Sequence, residues 1–163
     1  MQKELMEAIA SRFNEADFNP TGSLSHPVLT VKKEHLLEVA KELKTNNKFS
    51  FDHLSFVTVV DHLDRFELIY VLNSYKHHHS LFLKTNLPRE NPEAPSVVHL
   101  WETADFHERE VYDLYGVKFA GHPGLKRILL AADFPGHPFR KDHPLVNDEA
   151  YLLKEGYPKE KSD

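Results

Sequence analysis

The sequence predicts an α+β fold: a two-layer domain with helices packed on a mainly antiparallel sheet, followed by an extended Pro-rich C-terminal strap. Three observations carry this. Apolar residues recur at helical spacing in three segments, period-two alternation runs through the middle of the chain, and periodicity stops after Gly121. The α+β domain is placed at 1–120 and the docking tail at 121–163.

Residues 4–16 set Leu5, Ala8, Ile9, Arg12 and Phe13 at helical spacing, and Asn19, Pro20, Thr21 and Gly22 break the pattern. Val28 to Val31 is a short β-rich run. Leu36, Leu37, Val39, Ala40 and Leu43 then predict an amphipathic helix ending near Thr45-Asn46-Asn47. Leu54, Phe56, Thr58 and Val60 alternate with Ser55, Val57, Val59 and Asp61, and Phe66, Leu68, Tyr70 and Leu72 alternate likewise. His62-Leu63-Asp64-Arg65 is short enough for a hairpin link, and a third run follows from about Ser80 to Leu87. Pro88, Pro92 and Pro95 mark a loop. A helix of about 100–115 follows, with Gly116 as its C-cap. Within 121–146 only Arg127-Ile128-Leu129-Leu130 is a candidate strand; Pro123, Pro135, Pro138 and Pro144 exclude a core of its own.

The 163 residues fit one domain, with 40% apolar and 28% charged residues typical of a soluble globular protein. Cysteine is absent, which excludes disulfides, Cys-ligated iron–sulfur clusters and thiol nucleophiles in this chain. No apolar run approaches the roughly 18 residues of a membrane span, and the charged amphipathic N-terminus does not read as a signal peptide. A net charge of −5 gives no reason to expect nucleic acid as a partner. GxGxxG, GxxxxGK[ST] and GxSxG motifs are all missing.

On the third helix, Glu108 falls in the middle of an apolar face, with Glu102, Arg109 and Asp113 opposite. An ionised carboxylate there is costly without a partner. The favoured reading is an anchor for the following basic segment through Arg127 or Arg140; the other is a general acid or base. His107-Glu108 lacks the second His of the zinc-protease motif, since position 111 is Val. In His77-His78-His79 at most the outer two share a strand face, and a solvated strand edge or turn is preferred to a metal site. A remote alternative is a metal-dependent enzyme built from Glu108 with His107, His122 and His137.

His26-Pro27, His122-Pro123, His137-Pro138 and His143-Pro144 each present a His from stiff extended chain. The tail carries Lys126, Arg127, Arg140 and Lys141 against Asp133 and Asp142, so it is locally basic. Extended Pro-rich segments lose little entropy on binding, which predicts a docking strap on another protein. These residues read as a binding or assembly component with no catalytic or metal site of its own.

The run His107-Glu108-Arg109-Glu110-Val111-Tyr112-Asp113-Leu114-Tyr115-Gly116 resembles the signature helix of the C-type subunit family of proton-pumping NADH-quinone oxidoreductase, respiratory complex I. The resemblance continues through Gly121-His122-Pro123, Arg127-Ile128-Leu129-Leu130 and Gly136-His137-Pro138-Phe139-Arg140-Lys141-Asp142-His143-Pro144-Leu145. It departs at Phe106 and Phe134, where Trp is usual, at Glu102, where Pro is common, and at His143, where Tyr is common. The resemblance implies a peripheral-arm subunit without a redox centre, docking on the D-type subunit of the complex, with its extension near the B-type and I-type subunits. Glu108, Arg109, Glu110 and Asp113 then belong to the signature helix. His122, Arg127, His137, Arg140, Lys141 and Asp142 belong to the strap. NADH, FMN, iron–sulfur clusters and quinone would be handled by partner subunits, and the chain would sit peripherally on the cytoplasmic face of the inner membrane. The homologous subunit of a membrane-bound hydrogenase or an NADH-independent quinone reductase is the near alternative.

Overall fold

The computed structural model describes residues 27–143, together with 8–9, 11–12 and the backbone of 17–19. The elements are β1 (Asp17–Asn19), β2 (Val28–Thr30), a 3-10 turn (Lys33–His35), α1 (Leu36–Thr45), β3 (His53–Asp61), β4 (Arg65–Ser74), β5 (His79–Pro88), β6 (Glu93–Pro95), α2 (Ala104–Tyr115) and β7 (Lys118–Ala120). Of the expected N-terminal helix, residues 8–9 and 11–12 are helical; the rest lies outside the described residues.

Helix α1 buries Leu36, Val39, Ala40 and Leu43, the i, i+3, i+4, i+7 stripe its spacing predicts. Each large apolar side chain so buried contributes about 1.5–3 kcal/mol against the entropy of ordering it. The helix stops where Asn46 turns extended. Its amide still reaches Glu42 O at 3.0 Å, and its Oδ1 takes the Lys48 amide at 2.9 Å.

The expected meander is present, within a larger sheet of order β1-β2-β5-β4-β3. All its pairings are antiparallel except β2 with β5, so the mainly antiparallel two-layer class holds. The β3–β4 turn is built on Asp61, whose Oδ1 accepts the Leu63 amide at 2.8 Å while Leu63 adopts φ 70°. A second, two-stranded parallel sheet of β6 and β7 brackets α2, where the prolines predict only loop for the β6 segment.

Strand β3 corrects the alternation expected from the sequence. A bulge between Leu54 and Phe56 shifts the register, so Val57 and Val59 join Leu54 in the core while Phe56 and Val60 are 43% and 40% exposed. One extra residue reverses every side chain beyond it.

Helix α2 starts at Ala104, later than the expected 100. Residues before it turn instead: Trp101 buries its ring and donates Nε1–H to Phe51 O at 3.0 Å, and Thr103 Oγ1 reaches Leu54 O at 3.2 Å. Gly116 closes the helix as predicted, at φ 78° with its amide on Tyr112 O at 2.9 Å. One apolar cluster joins Ile9, α1, the sheet's inner face, Trp101, Ala104 and Val111. Beyond β7, residues 121–143 form turns and bends folded back on α2; the candidate strand Arg127–Leu130 is not one.

Candidate docking site: a strap clasped to the signature helix

An α-helix ends with carbonyls that have no partner inside the helix. In α2 the strap supplies partners. Asp113 O accepts His137 Nδ1–H at 2.8 Å and Arg127 Nη1–H at 3.2 Å, and Leu114 O accepts the Phe139 amide at 3.1 Å. Placing the Arg127 cation there also suits the negative end of the helix dipole.

The Asp113 side chain completes this first clasp. Its Oδ1 lies 2.7 Å from Arg127 Nη1, and its Oδ2 accepts the amides of Ile128, Leu129 and Leu130 at 3.0, 2.8 and 2.9 Å. These contacts explain why Arg127–Leu130 bends: three successive amides converge on one oxygen, which a strand, with alternating amides, cannot arrange. Arg127 Nη2 continues to the carbonyls of Phe134 and Gly136 at 3.0 and 3.1 Å, closing the 127–136 loop around one guanidinium. Burial works to raise the Asp113 pKa, but the Leu130 amide, Arg127 and the other two amides outweigh it and hold it at about 2.

The His137 ring packs on Gly116 and meets Tyr112 edge-on, centroids 6.2 Å apart. A Cβ on Gly116 would sit 2.6 Å from that ring. Burial lowers the His137 pKa, and the neighbouring Arg127 and Arg140 add to this, although the Asp113 carbonyl opposes it. His122 has a fully buried side chain. Its Nδ1 accepts the Gly124 amide at 3.0 Å, so the proton sits on Nε2, 3.2 Å from Asp105 Oδ1. From the helix, Arg109 Nε reaches Lys126 O at 3.3 Å.

A second clasp holds the strap at residues 140–142. Asp61 Oδ2 accepts the Lys141 amide at 2.8 Å, and Asp61 Oδ1 pairs with Arg89. Arg89 Nη2 lies 2.9 Å from Asp142 Oδ1, and Arg140 Nε is 3.1 Å from the same oxygen. The two guanidiniums stand 5.2 and 5.1 Å from the Phe66 ring centre. Arg140 above all, then Arg89, depress the Asp142 pKa to about 2 against a smaller effect of burial. Asp61 is lowered too: burial opposes, but Arg89 and the amides of Lys141 and Leu63 prevail.

The structure therefore brings Arg109, Asp113, His122, Arg127, His137, Arg140, Lys141 and Asp142 into one strap–helix assembly. Glu110 stays on the exposed face of α2. Glu108 is the correction. It is fully buried but does not hold the strap: Ser96 Oγ donates to its Oε2 at 2.6 Å and the Val97 amide to its Oε1 at 2.7 Å. It is a hydrogen-bond anchor for the 96–97 loop, and Arg127 and Arg140 pair with Asp113 and Asp142 instead. Burial raises its pKa to about 7, the two hydrogen bonds opposing.

A helical wheel puts Asp113 on the polar face because it counts only the core as burial; here the strap buries it completely. Asp61 and Arg89 are clasp residues that sequence reasoning does not reach, and only their position beside a turn and after Pro88 signals them. Of the histidines in the metal-enzyme alternative (His107, His122 and His137), His122 is engaged on Asp105 and His137 on the Asp113 carbonyl. Among the described residues no group of three or more His, Asp or Glu is placed to hold a metal. His77 and His79 stack with centroids 5.5 Å apart, and their Nε2 atoms meet Asn47 O and Phe49 O, each at 2.9 Å, so the pair fastens the loop after α1.

Fold and site together define a two-layer α+β domain that carries residues 121–143 of its own extension, clasped at two points. The family model for the respiratory-chain NADH dehydrogenase 30 Kd subunit matches residues 29–149. The chain is 33% identical to the C-type subunit of the NADH-quinone oxidoreductase of Coxiella burnetii, over 90% of this chain and 80% of that one. It is 46% identical to the corresponding subunit of Moorella thermoacetica, over 75% and 82%. Among solved structures it resembles "Nqo5 of the trypsin-resistant fragment (1-134) in P63 form", with a TM-score of 0.66 and 31% identity, covering 77% of this chain and all of that one. It also shares its fold with a chain of the archaeal membrane-bound sulfane sulfur reductase, with a TM-score of 0.77 and 23% identity over 99% of this chain and 94% of that one. The chain belongs to the 30 kDa subunit family of respiratory-chain NADH dehydrogenase, whose bacterial members include the C-type subunits of NADH-quinone oxidoreductase.

Proposed function

We propose that this chain is a non-catalytic peripheral-arm subunit of a proton-translocating NADH-quinone oxidoreductase. It docks on the D-type subunit, with its extension near the B-type and I-type subunits, and stabilises the quinone-reducing module. NADH, FMN, iron–sulfur clusters and quinone are handled by partner subunits, and the chain reaches the cytoplasmic face of the membrane only through them. The observation that carries this reading is the strap clasped to α2 by Asp113 and Arg127, both within the matched family segment. No helix among the described residues is long and apolar enough to cross a membrane, in keeping with a peripheral place.

Native gel electrophoresis of gently solubilised membranes, with the co-migrating chains identified by mass spectrometry, tests the reading. The expected result is migration in a large assembly with NADH-oxidising subunits. Migration as a free chain overturns it. The shared fold of a chain from a membrane-bound sulfane sulfur reductase, described as an archaeal respiratory membrane complex, favours a second reading in which the electron-input module differs. Hydrogenase or other non-NADH subunits in the same band would select it.

A further inference from the structure

Strand β4 turns Phe66, Leu68, Tyr70 and Leu72 into the core, and only Tyr70 among them carries a hydroxyl. Tyr70 is 1% exposed, and its Oη has no hydrogen-bond partner among the described residues. An unbonded hydroxyl is costly to bury, and phenylalanine would fill the same space without that cost. What lies opposite the ring accounts for it. Near the start of α2, Thr103 Oγ1–H donates to Leu54 O at 3.2 Å, and Leu54 pairs with Leu72. At the helix end, the Tyr115 ring meets Phe66 edge-on, centroids 6.4 Å apart. Helix and strand thus run antiparallel over matching lengths, about 18 Å from Thr103 to Tyr115 and about 20 Å from Leu72 to Phe66. On that scale Glu108, about 7.5 Å along from Thr103, stands over Tyr70, about 6.6 Å along from Leu72.

Glu108 is short of donors. Each of its oxygens accepts one hydrogen bond, from Ser96 Oγ and from the Val97 amide, whereas an ionised carboxylate has room for about four. Among the described residues no cation pairs with it. Strand β4 offers Tyr70, the inner side of β5 the neutral Thr85 hydroxyl, and β3 the apolar Val57 and Val59. The charge that acts on it is Asp105, one turn earlier on α2; this is negative and is itself held by His122 of the strap. Burial first, and then the Glu108 charge, push the Tyr70 pKa well above the usual tyrosine value. The phenol therefore keeps its proton and remains a donor.

We propose that Tyr70 is the reserve donor of an internal proton switch: when Glu108 releases its proton to solvent, the Tyr70 hydroxyl closes on the carboxylate and ties α2 directly to β4. In the protonated state Glu108 holds only the 96–97 loop, and the phenol stands unbonded beside it. Ionisation adds a link between helix and sheet, and Tyr70 gives up no proton. The switch works near neutral pH, since burial above all raises the Glu108 pKa to about 7. It acts on the helix whose far end carries the strap, through Asp113. A bond made only to the charged form favours that form, so its removal must make Glu108 harder to ionise.

The test follows the Glu108 carboxyl carbon by NMR through a pH titration of the full-length chain labelled with isotopic glutamate. Its signal is assigned by its loss in Glu108→Gln. Tyr70→Phe is expected to raise the Glu108 midpoint by at least about one pH unit, tenfold in ionisation constant. Thr85 Oγ1 is likewise buried without a partner among the described residues, and Thr85→Val is expected to shift the midpoint by less than about 0.3 unit. A midpoint unmoved or lowered in Tyr70→Phe overturns the switch, as does an equal shift in Thr85→Val. The wild-type chain gives a second reading that needs no change at position 70. Its Tyr70 hydroxyl proton is expected to exchange more slowly and to resonate downfield as Glu108 ionises, an effect lost in Glu108→Gln. A hydroxyl proton indifferent to that ionisation overturns the switch as well.

Discussion

The Asp113 carboxylate and the Arg127 guanidinium meet at 2.7 Å at the C-terminal end of α2, and the same carboxylate gathers the next three amides of the strap. This ties a local feature, the last turn of a helix, to the course of a segment with no regular structure. Residues 121–143 are part of this chain's own fold.

Asp113→Ala removes an anion that is fully buried, leaves three amides without their acceptor and leaves Arg127 with backbone carbonyls but no counter-charge there. Loss of one partner of a buried pair costs about 3–5 kcal/mol. The expected result is a large fall in stability by chemical denaturation, with faster tryptic cleavage after Lys126 and Arg127. An unchanged cleavage rate would show that Asp113 does not hold the strap.

Gly116 and His137 form a lock that makes a separable prediction. Gly116→Ala forces a Cβ into a left-handed backbone position, φ 78°, and to 2.6 Å from the His137 ring. The backbone part costs about 1 kcal/mol and persists in any background. The steric part is relieved when His137 is also Ala. A double-mutant cycle on thermal or urea unfolding is therefore expected to show coupling of at least about 1 kcal/mol. Strict additivity would mean the ring moves aside at no cost.

How much of this is legible in the sequence follows from what periodicity reports. The stripe Leu36-Val39-Ala40-Leu43 and the cap Gly116 are local signals, and the structure bears both out. The bulge at Ser55 is a single-residue slip in a run where either face is apolar, Phe56 and Val60 or Val57 and Val59, so alternation alone cannot choose the buried face. Glu108 is conspicuous because its neighbours on the wheel are apolar. Its partners, Ser96 and the Val97 amide, are a neutral hydroxyl and a backbone group that leave no charge signal. Asp113 is hidden for the opposite reason: its burial comes from chain 14 to 17 positions onward, which no helical wheel contains.

The bulge gives a direct check. Val57→Ser empties a core position that is 4% exposed and is expected to cost about 2 kcal/mol, whereas Phe56→Ser, at a side chain 43% exposed, costs under about 1 kcal/mol. Urea unfolding of the two variants decides the register. Equal losses would place both residues at comparable depth.

Glu108 makes the chain's stability depend on pH in a window of its own. Its pKa rises from 4.5 unfolded to about 7 folded because burial disfavours the charge, against the help of Ser96 and Val97. Between those values the folded state holds the proton and the unfolded state does not, so stability falls as pH rises. The favourable part is complete below about 4.5 and gone above about 7, a span on the order of 3 kcal/mol. Asp113 acts oppositely and lower: its pKa, held at about 2, stabilises above about 3.8 and is lost as acid approaches 2. The windows do not overlap. Glu108→Gln keeps an acceptor for the Val97 amide and a donor facing Ser96 Oγ but cannot ionise. Urea unfolding of wild type and Glu108→Gln at pH 5 and pH 8 gives the difference of differences, in which other titrating groups cancel. Wild type is expected to lose about 2–3 kcal/mol relative to the variant over that interval. Parallel curves would mean that Glu108 stays ionised in its pocket, and that a cation or water compensates it there.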